Sequence, residues 1–117
     1  VEACDYVVIM DETLVNQELS KGIKPDATVL INSEDGQLFP TLNGFNIITI
    51  DATSLALKIL GKPITNTAMY GALVAASNIV SLESATNSIK TEMKPALVEK
   101  NIRIVEEAYK TIKNKMA

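Results

Sequence analysis

Asp11, Asn32 and Asp51 are the first residues of this chain whose positions could support chemistry, because each comes directly after a short apolar run. Each run has the length and composition of a buried strand, and an open parallel sheet binds its ligands beyond the carboxyl ends of its strands. The three residues are therefore candidates for ligand binding. Asp and Asn at such positions also cap helices or shape turns, so a structural role is the alternative for each.

Asn66 and Thr67 form a further polar pair, near the start of a segment rich in Ala, Gly, Ser, Thr and Asn, Pro63–Ser84. The free backbone N–H groups at the start of a buried helix could meet an anion there. Capping of the helix by the same side chains is an equally good explanation, and both interpretations stay open at this point.

No self-contained active site can be assembled from the sequence. The chain has no His and a single Cys, so the usual zinc and iron–sulfur ligand sets are missing, as is a His base for a serine nucleophile. Its five Gly residues form neither Gly-x-Gly-x-x-Gly nor a P-loop. Asp51 follows a strand, as the phosphate-accepting Asp of a receiver domain does. A receiver also needs a Lys after a later strand, and no Lys follows another strand here, so this function is excluded. We predict no catalytic residue and no metal ligand in this chain.

The charge balance bears on partners and location. Eleven Lys and Arg residues against 14 Asp and Glu residues give a net charge of −3 and supply no dense positive surface for a nucleic-acid backbone. No apolar run approaches the roughly 20 residues that span a bilayer, and no secretory leader pattern is present. We expect a cytoplasmic protein that binds neither nucleic acid nor a membrane.

The elements that position these residues follow from hydrophobic patterning. The three apolar runs do not alternate with polar residues, which favours a parallel sheet covered on both faces. The predicted strands are Tyr6–Met10, Thr28–Ile31 and Asn46–Ile50.

Five helices are predicted. The first is Glu12–Ser20, with Asp11 or Thr13 as its cap, and the second begins within Asp51–Ser54 and ends at Gly61. The third is Asn66–Ser77, the fourth is a short helix capped by Ser81, and the fifth is Pro95–Lys115. Residues 1–117 are expected to form a single α/β domain, a Rossmann-like three-layer fold with a mostly parallel sheet, helices on both faces and a long C-terminal helix.

Two features of the predicted helices concern packing. The residues within Asn66–Ser77 are apolar or small on every side, which indicates a helix buried all round. Gly71 inside it costs about 1 kcal/mol relative to Ala, so we expect something to approach its backbone closely, with the sheet or another subunit as the packing partner of the helix. Between the second and third strands, Ser33–Gly44 is expected to be mostly turns with a short helical piece.

Several segments carry a resemblance to a known family. They are "CDYVVIMDETL" (Cys4–Leu14), "ATVLINSE" (Ala27–Glu34), "IDATSLALKILGKPITNTAMYGALVAASNIVSLES" (Ile50–Ser84) and "LVEKNIRIVEEAY" (Leu97–Tyr109). In this order they resemble the gamma subunit of 2-oxoacid:ferredoxin oxidoreductases, and most closely that of pyruvate ferredoxin oxidoreductase, or pyruvate synthase. The likeness is most specific in Gly61–Met69, Gly71–Leu73 and Ser81–Ser84.

The resemblance implies a component of an enzyme that converts pyruvate and CoA to acetyl-CoA and carbon dioxide, with electrons passing to ferredoxin. It implies alpha, beta and delta subunits as partners, ferredoxin reached through the complex, thiamine diphosphate between alpha and beta, and iron–sulfur clusters in beta and delta. This chain alone would be inactive and hold none of these groups. The loop Lys62–Thr67 would face the CoA side. The 2-oxoisovalerate enzyme is the alternative within the family.

The sequence departs from the family pattern at one point, and this departure leads to an alternative function. Family members open with a Gly-rich "GRGGQG"-type turn after their first strand, and this sequence has none, so it resembles the later two-thirds of a gamma subunit. The alternative is a non-catalytic interaction domain that self-associates, because a parallel sheet without its first strand exposes an edge. That alternative predicts a homodimer through this edge or through the Asn66–Ser77 helix.

Overall fold

The computed structural model of the protein describes residues 6–15, 21, 23, 26–34, 39–42 and 44–116. Internal contacts divide the chain into two compact units, residues 1–51 and residues 52–117. The described part of the first unit holds a sheet, and the second holds four α-helices. The expectation of one domain over residues 1–117, with helices on both sheet faces, stays a prediction.

The sheet has three described strands: β1 (Tyr6–Ile9), β2 (Thr28–Asn32) and β3 (Asn46–Ile50). They are parallel and lie in the order β1-β2-β3. Each predicted strand is confirmed to within one residue at its ends, and so are the α/β class and the mostly parallel sheet. This order places β2 between the other two, so the carboxyl ends of β1 and β3 lie on either side of that of β2.

The core of the first unit lies against one face of this sheet. Val29 and Ile31, two residues apart on β2, point to the same face and are fully buried. Leu30 points to the opposite face and is also fully buried, as the unbroken apolar run predicts for a strand covered on both sides. The buried members of this core are Ile9, Ile23, Ala27, Val29, Ile31 and Leu42.

The segment after β1 corrects the prediction of an α-helix over Glu12–Ser20. Glu12–Leu14 forms one turn of 3-10 helix, and Val15 is already extended, with φ −74° and ψ 118°. Asp11 and Thr13 pair locally through side chain and backbone, and β-branched Thr13 and Val15 have low helix propensity, so the helix does not continue through Val15. Residues 16–20 lie outside the described part. The short helical piece predicted before β3 is a 3-10 turn at Pro40–Leu42.

The helices of the second unit are α1 (Ala52–Leu60), α2 (Asn66–Ser77), α3 (Leu82–Glu92) and α4 (Pro95–Met116). The predicted bounds of α2 are confirmed, α4 ends one residue beyond its predicted end, and the predicted end signals at Gly61 and Ser81 are confirmed. Gly61 ends α1 at φ +74°, with its N–H donating to the Leu57 carbonyl at 3.0 Å, and Ser81 caps α3 by accepting from the Ser84 N–H at 3.0 Å. None of these described helices is both long enough and apolar enough to cross a membrane.

The crossing of α2 and α4 explains the composition of α2. Eight of its twelve residues are buried, but the other four share one helix face and are exposed or half-buried, so the predicted burial all round is wrong for that face. These four residues are Asn66, Tyr70, Leu73 and Ser77. A Cβ atom on Gly71 would lie 2.6 Å from the Val105 carbonyl oxygen, 2.9 Å from Val105 Cα and 3.1 Å from Ala108 Cβ. The close backbone approach predicted at Gly71 is therefore made by α4, and only a residue without a side chain fits.

Replacing Gly71 with Ala tests this contact. Gly71→Ala should lower the free energy of unfolding by about 1–3 kcal/mol through overpacking, although Ala alone favours a helix by about 1 kcal/mol. Chemical denaturation measures the change. Asn87→Ala, at an exposed position of α3, is the control and should stay within about 0.5 kcal/mol of the parent. A Gly71→Ala protein as stable as the parent would refute the contact.

Candidate functional site

The carboxyl ends of the three strands bring the first set of candidates to one edge of the sheet. Asn32 pairs with Ile50, and its side-chain Nδ2 donates to the Met10 carbonyl at 3.2 Å. Asp51, directly after β3, is half-buried and takes part in a polar interaction. The Asn32 side chain thus ties the end of β1 to β2, a structural role, while a ligand role for the three residues stays a prediction.

Asp11 has a defined structural task at this edge. Its Oδ1 accepts from the Thr13 hydroxyl at 2.7 Å and from the Thr13 N–H at 3.0 Å, which caps the 3-10 turn. These hydrogen bonds favour the ionised carboxylate, so they lower the pKa of Asp11, the hydroxyl bond having the larger effect. Of the two predicted caps, Asp11 or Thr13, the structure has Asp11.

The second set of candidates, Asn66 and Thr67, lies at the start of α2, and neither side chain caps the helix. The residue before the helix is Thr65, whose side chain makes no capping bond. Thr67 is buried and its hydroxyl donates to Asn101 Oδ1 of α4 at 2.9 Å, while Asn101 Nδ2 donates to the Leu97 carbonyl at 2.8 Å. Asn66 is exposed beside this pair. Thr67 therefore fixes the start of α2 against α4.

Both Asn66 and Thr67 line a groove of about 280 Å³ between α2 and the end of α3. Its walls are mainly apolar, Glu92 is the one charged side chain that lines it, and no described Lys or Arg does. Such a groove can receive an apolar or amide-bearing chain but offers no cation to a phosphate. The lining residues are Asn66, Thr67, Tyr70, Ser88, Ile89, Glu92 and Met93.

The α3 side of the groove was not identified from the sequence. Ser88 and Glu92 are four residues apart and share one helix face, which is the only local signal they give. Their position opposite Asn66 depends on how α3 folds back on α2, a tertiary contact that hydrophobic spacing within one helix does not specify.

The residues present do not fit the metal-containing groups that the resemblance assigns to the complex. Iron–sulfur clusters are held by several thiolates, and this chain has one Cys. Within the described ranges, no group of three or more His, Cys, Asp or Glu side chains is arranged to hold a metal ion. No step of chemistry is assigned to such a group here.

Comparisons with known proteins agree with this fold. A sequence model of the family described as pyruvate ferredoxin/flavodoxin oxidoreductase matches residues 1–111. The chain is 42% identical, over 106 residues, to pyruvate synthase subunit PorC of Methanocaldococcus jannaschii, covering 90% of this chain and 58% of that protein. It is 39% identical, over 110 residues, to the pyruvate/ketoisovalerate oxidoreductases common subunit gamma of Thermococcus kodakarensis, covering 90% and 60%.

A solved structure gives the same result. The pyruvate oxidoreductase subunit PORC of Thermotoga maritima superposes with a TM-score of 0.83 at 35% identity, covering 94% of this chain and 64% of that one. The α/β fold is thus that of a gamma-type subunit. The chain belongs to the pyruvate ferredoxin/flavodoxin oxidoreductase family, which confirms the resemblance seen in the sequence. It spans about three fifths of the length of these curated relatives.

The buried pair of Thr67 and Asn101 can be tested by stability. Thr67→Val keeps the shape of the side chain but leaves Asn101 Oδ1 without its donor, so unfolding should become easier by about 1–3 kcal/mol. Thr91→Val is the matched control, because the Thr91 hydroxyl donates to the Asn87 carbonyl at an exposed position, and it should cost about 0.5 kcal/mol or less. Equal effects of the two variants in denaturant titrations would contradict the role given to Thr67.

The Asp11 cap can be tested by titration. Thr13→Val removes the hydroxyl that does most to lower the pKa of Asp11, so that pKa should rise toward its ordinary value, whereas Thr13→Ser keeps the hydroxyl and should keep it low. NMR detection of the Asp11 carboxyl carbon measures both.

The pH dependence of stability has a defined sign at this cap. Because the folded pKa lies below the unfolded value of about 3.9, the cap stabilises the protein above that pH, and its effect is lost as the pH falls through the folded pKa. The stability difference between the parent and Thr13→Val should shrink in that acid range. An unchanged Asp11 pKa in Thr13→Val would disprove the assignment.

Proposed function

We propose that this chain is part of the gamma subunit of a pyruvate:ferredoxin oxidoreductase and that it supplies binding surface, not catalytic groups. The family match over residues 1–111 carries the proposal. The whole enzyme would convert pyruvate and CoA to acetyl-CoA and carbon dioxide and pass the electrons to ferredoxin. Thiamine diphosphate and iron–sulfur clusters, held by the alpha, beta and delta subunits, would supply the decarboxylation and electron transfer. This chain alone would be inactive, and its cytoplasmic location stays a prediction.

Within that function, the groove beside Asn66 and Thr67 is our candidate for the CoA side. The pantetheine arm of CoA is an uncharged chain with amide groups, which suits apolar walls flanked by the Asn66 amide and the Ser88 hydroxyl. The described lining supplies no cation for the CoA phosphates, so those must meet positive charge elsewhere in the complex. The groove residues would orient the arm and exclude water around it.

Substrate choice is assigned to other subunits. The Thermococcus kodakarensis relative is named as common to pyruvate and ketoisovalerate oxidoreductases, so in that organism one gamma subunit serves two substrates. The 2-oxoisovalerate enzyme therefore remains the alternative for this chain. An assay of both 2-oxoacids with the assembled complex decides between them.

Self-association remains the second candidate function, and the structure narrows where it could occur. Burial of most of α2 within its own unit disfavours a dimer through that helix. Among the described strands, β1 and β3 are each paired only with β2, so the outer edges of both are surfaces that could take another strand. Light scattering of the purified chain tests this candidate, and a monomer at all concentrations excludes it.

Reconstitution tests the leading proposal. The full-length gene product should be required, together with the subunits encoded beside it, for pyruvate- and CoA-dependent reduction of ferredoxin. Full activity without it, or no activity with any 2-oxoacid when every subunit is present, would exclude the proposed function.

A single substitution tests the CoA side. In the assembled enzyme, Asn66→Ala should raise KM for CoA about 3- to 10-fold, the loss expected for one hydrogen bond, and leave KM for pyruvate unchanged. Asn114→Ala, at an exposed position in the last turn of α4, is the control and should change neither constant. If Asn66→Ala leaves KM for CoA unchanged, the groove is not the CoA side.

A further inference from the structure

The loop between α2 and α3 presents two neighbouring branched aliphatic side chains to solvent. Ile79 is 75% exposed, more than any other large hydrophobic residue described, and Val80 is 42% exposed. Scattered exposed aliphatic residues are common on protein surfaces, but an adjacent pair on a fixed loop is suited to insertion into an apolar pocket.

Hydrogen bonds on both sides hold this loop in place. Asn78 ends α2 in the left-handed region at φ 55°, and its N–H donates to the Val74 carbonyl at 3.1 Å. The Ile79 N–H donates to Ser77 Oγ at 3.4 Å, and Ser81 caps the next helix. Because the loop is already ordered, a partner that buries Ile79 and Val80 would lose little affinity to ordering the chain.

A cation is positioned next to the aliphatic pair. Lys113 of α4 donates from Nζ to Asn78 Oδ1 at 2.7 Å, and the same nitrogen lies 5.5 Å from the centre of the Tyr109 ring. Both partners are neutral, so they orient the ammonium group without cancelling its charge. Lys110 lies three residues earlier on the same helix, but exposed Glu106 and Glu107 lie four and three residues before it and offset its charge, so the positive charge beside the pair is that of Lys113.

We propose that Ile79, Val80 and Lys113 form a docking knob for another subunit of the oxidoreductase complex. The knob fits an apolar pocket bordered by acidic side chains, because an aliphatic tip needs apolar contact and the oriented ammonium needs a carboxylate. This inference rests on the proposed function, which requires partner subunits. A two-fold contact of the knob with itself is disfavoured, since it would bring the Lys113 residues of two copies together.

The knob and the groove can be tested separately. They lie at opposite ends of α2, a helix of twelve residues, so about 18 Å of helix separates them. A substitution at Ile79 should therefore leave KM for CoA unchanged in whatever complex still assembles.

The test measures assembly of the full-length subunit with the tagged subcomplex of the subunits encoded beside it. Ile79→Asp places a charge in the docking pocket and should raise the apparent Kd about 10-fold or more, as the loss of one buried aliphatic contact predicts. Leu57→Asp, at a 48% exposed position of α1, is the matched control and should bind like the parent. Unchanged thermal unfolding of both variants shows that the fold is intact.

Lys113→Gln tests the charge. It should weaken binding by a few-fold at low salt and make binding less dependent on ionic strength than in the parent, because screening acts on the ion pair. Binding by Ile79→Asp as tight as that of the parent, or equal losses in Ile79→Asp and Leu57→Asp, overturns the docking knob.

Failure of the proposed function and failure of the docking knob give different results in this assay. A parent subunit that associates with none of the co-encoded subunits overturns the proposed function together with the knob. Normal association of the parent that is retained by Ile79→Asp overturns the knob alone. Self-association of the isolated subunit that Ile79→Asp abolishes identifies a second copy as the occupant and also overturns the knob as a site for another subunit.

Discussion

The second unit depends on the contact between Gly71 and the backbone of α4. The Val105 carbonyl occupies the space that a side chain at position 71 would need, so the two helix axes come closer than larger residues allow. Small residues then fill the rest of the interface, and Ala68, Ala72 and Ala75 are buried beside it. The small residues of α2 are thus required by its close packing on α4. This packing fixes the positions of both ends of α2.

The first turn of α2 is held by a polar contact, which differs from the apolar packing around Gly71. Thr67 and Asn101 are buried, and the Asn101 amide also reaches a carbonyl of its own helix. No buried side-chain N or O atom among the described residues lacks a hydrogen-bond partner. A satisfied buried pair is directional, so it sets the position of the α2 side of the groove more sharply than apolar contacts would.

Hydrophobic patterning predicted the strands from their unbroken apolar runs and α4 from its helical period, whereas α2 was predicted from a run of small and apolar residues bounded by polar ones. The prediction of an α-helix from Glu12 was wrong because local hydrogen bonds compete with it. Thr13 donates to the Asp11 side chain, and a 3-10 turn forms in place of the first turns of an α-helix. Thr67 gave no clear signal, because a Thr in a first turn suits capping and burial equally. The Ser88 and Glu92 side of the groove arises only from the packing of α3 on α2.

A chain without thiolate clusters or a histidine base can still serve an enzyme by positioning. Binding groups held rigidly around a reacting molecule lower the entropic cost of reaction, and cofactors on other subunits can supply the bond-breaking chemistry. In this chain a single tightly packed helix fixes a groove at one end and an exposed aliphatic loop at the other. Under the proposed function, α2 acts as a spacer that sets the distance between a substrate-facing surface and a subunit-facing one. The small residues in its middle let α2 pack closely on α4, and that packing holds both surfaces in fixed positions.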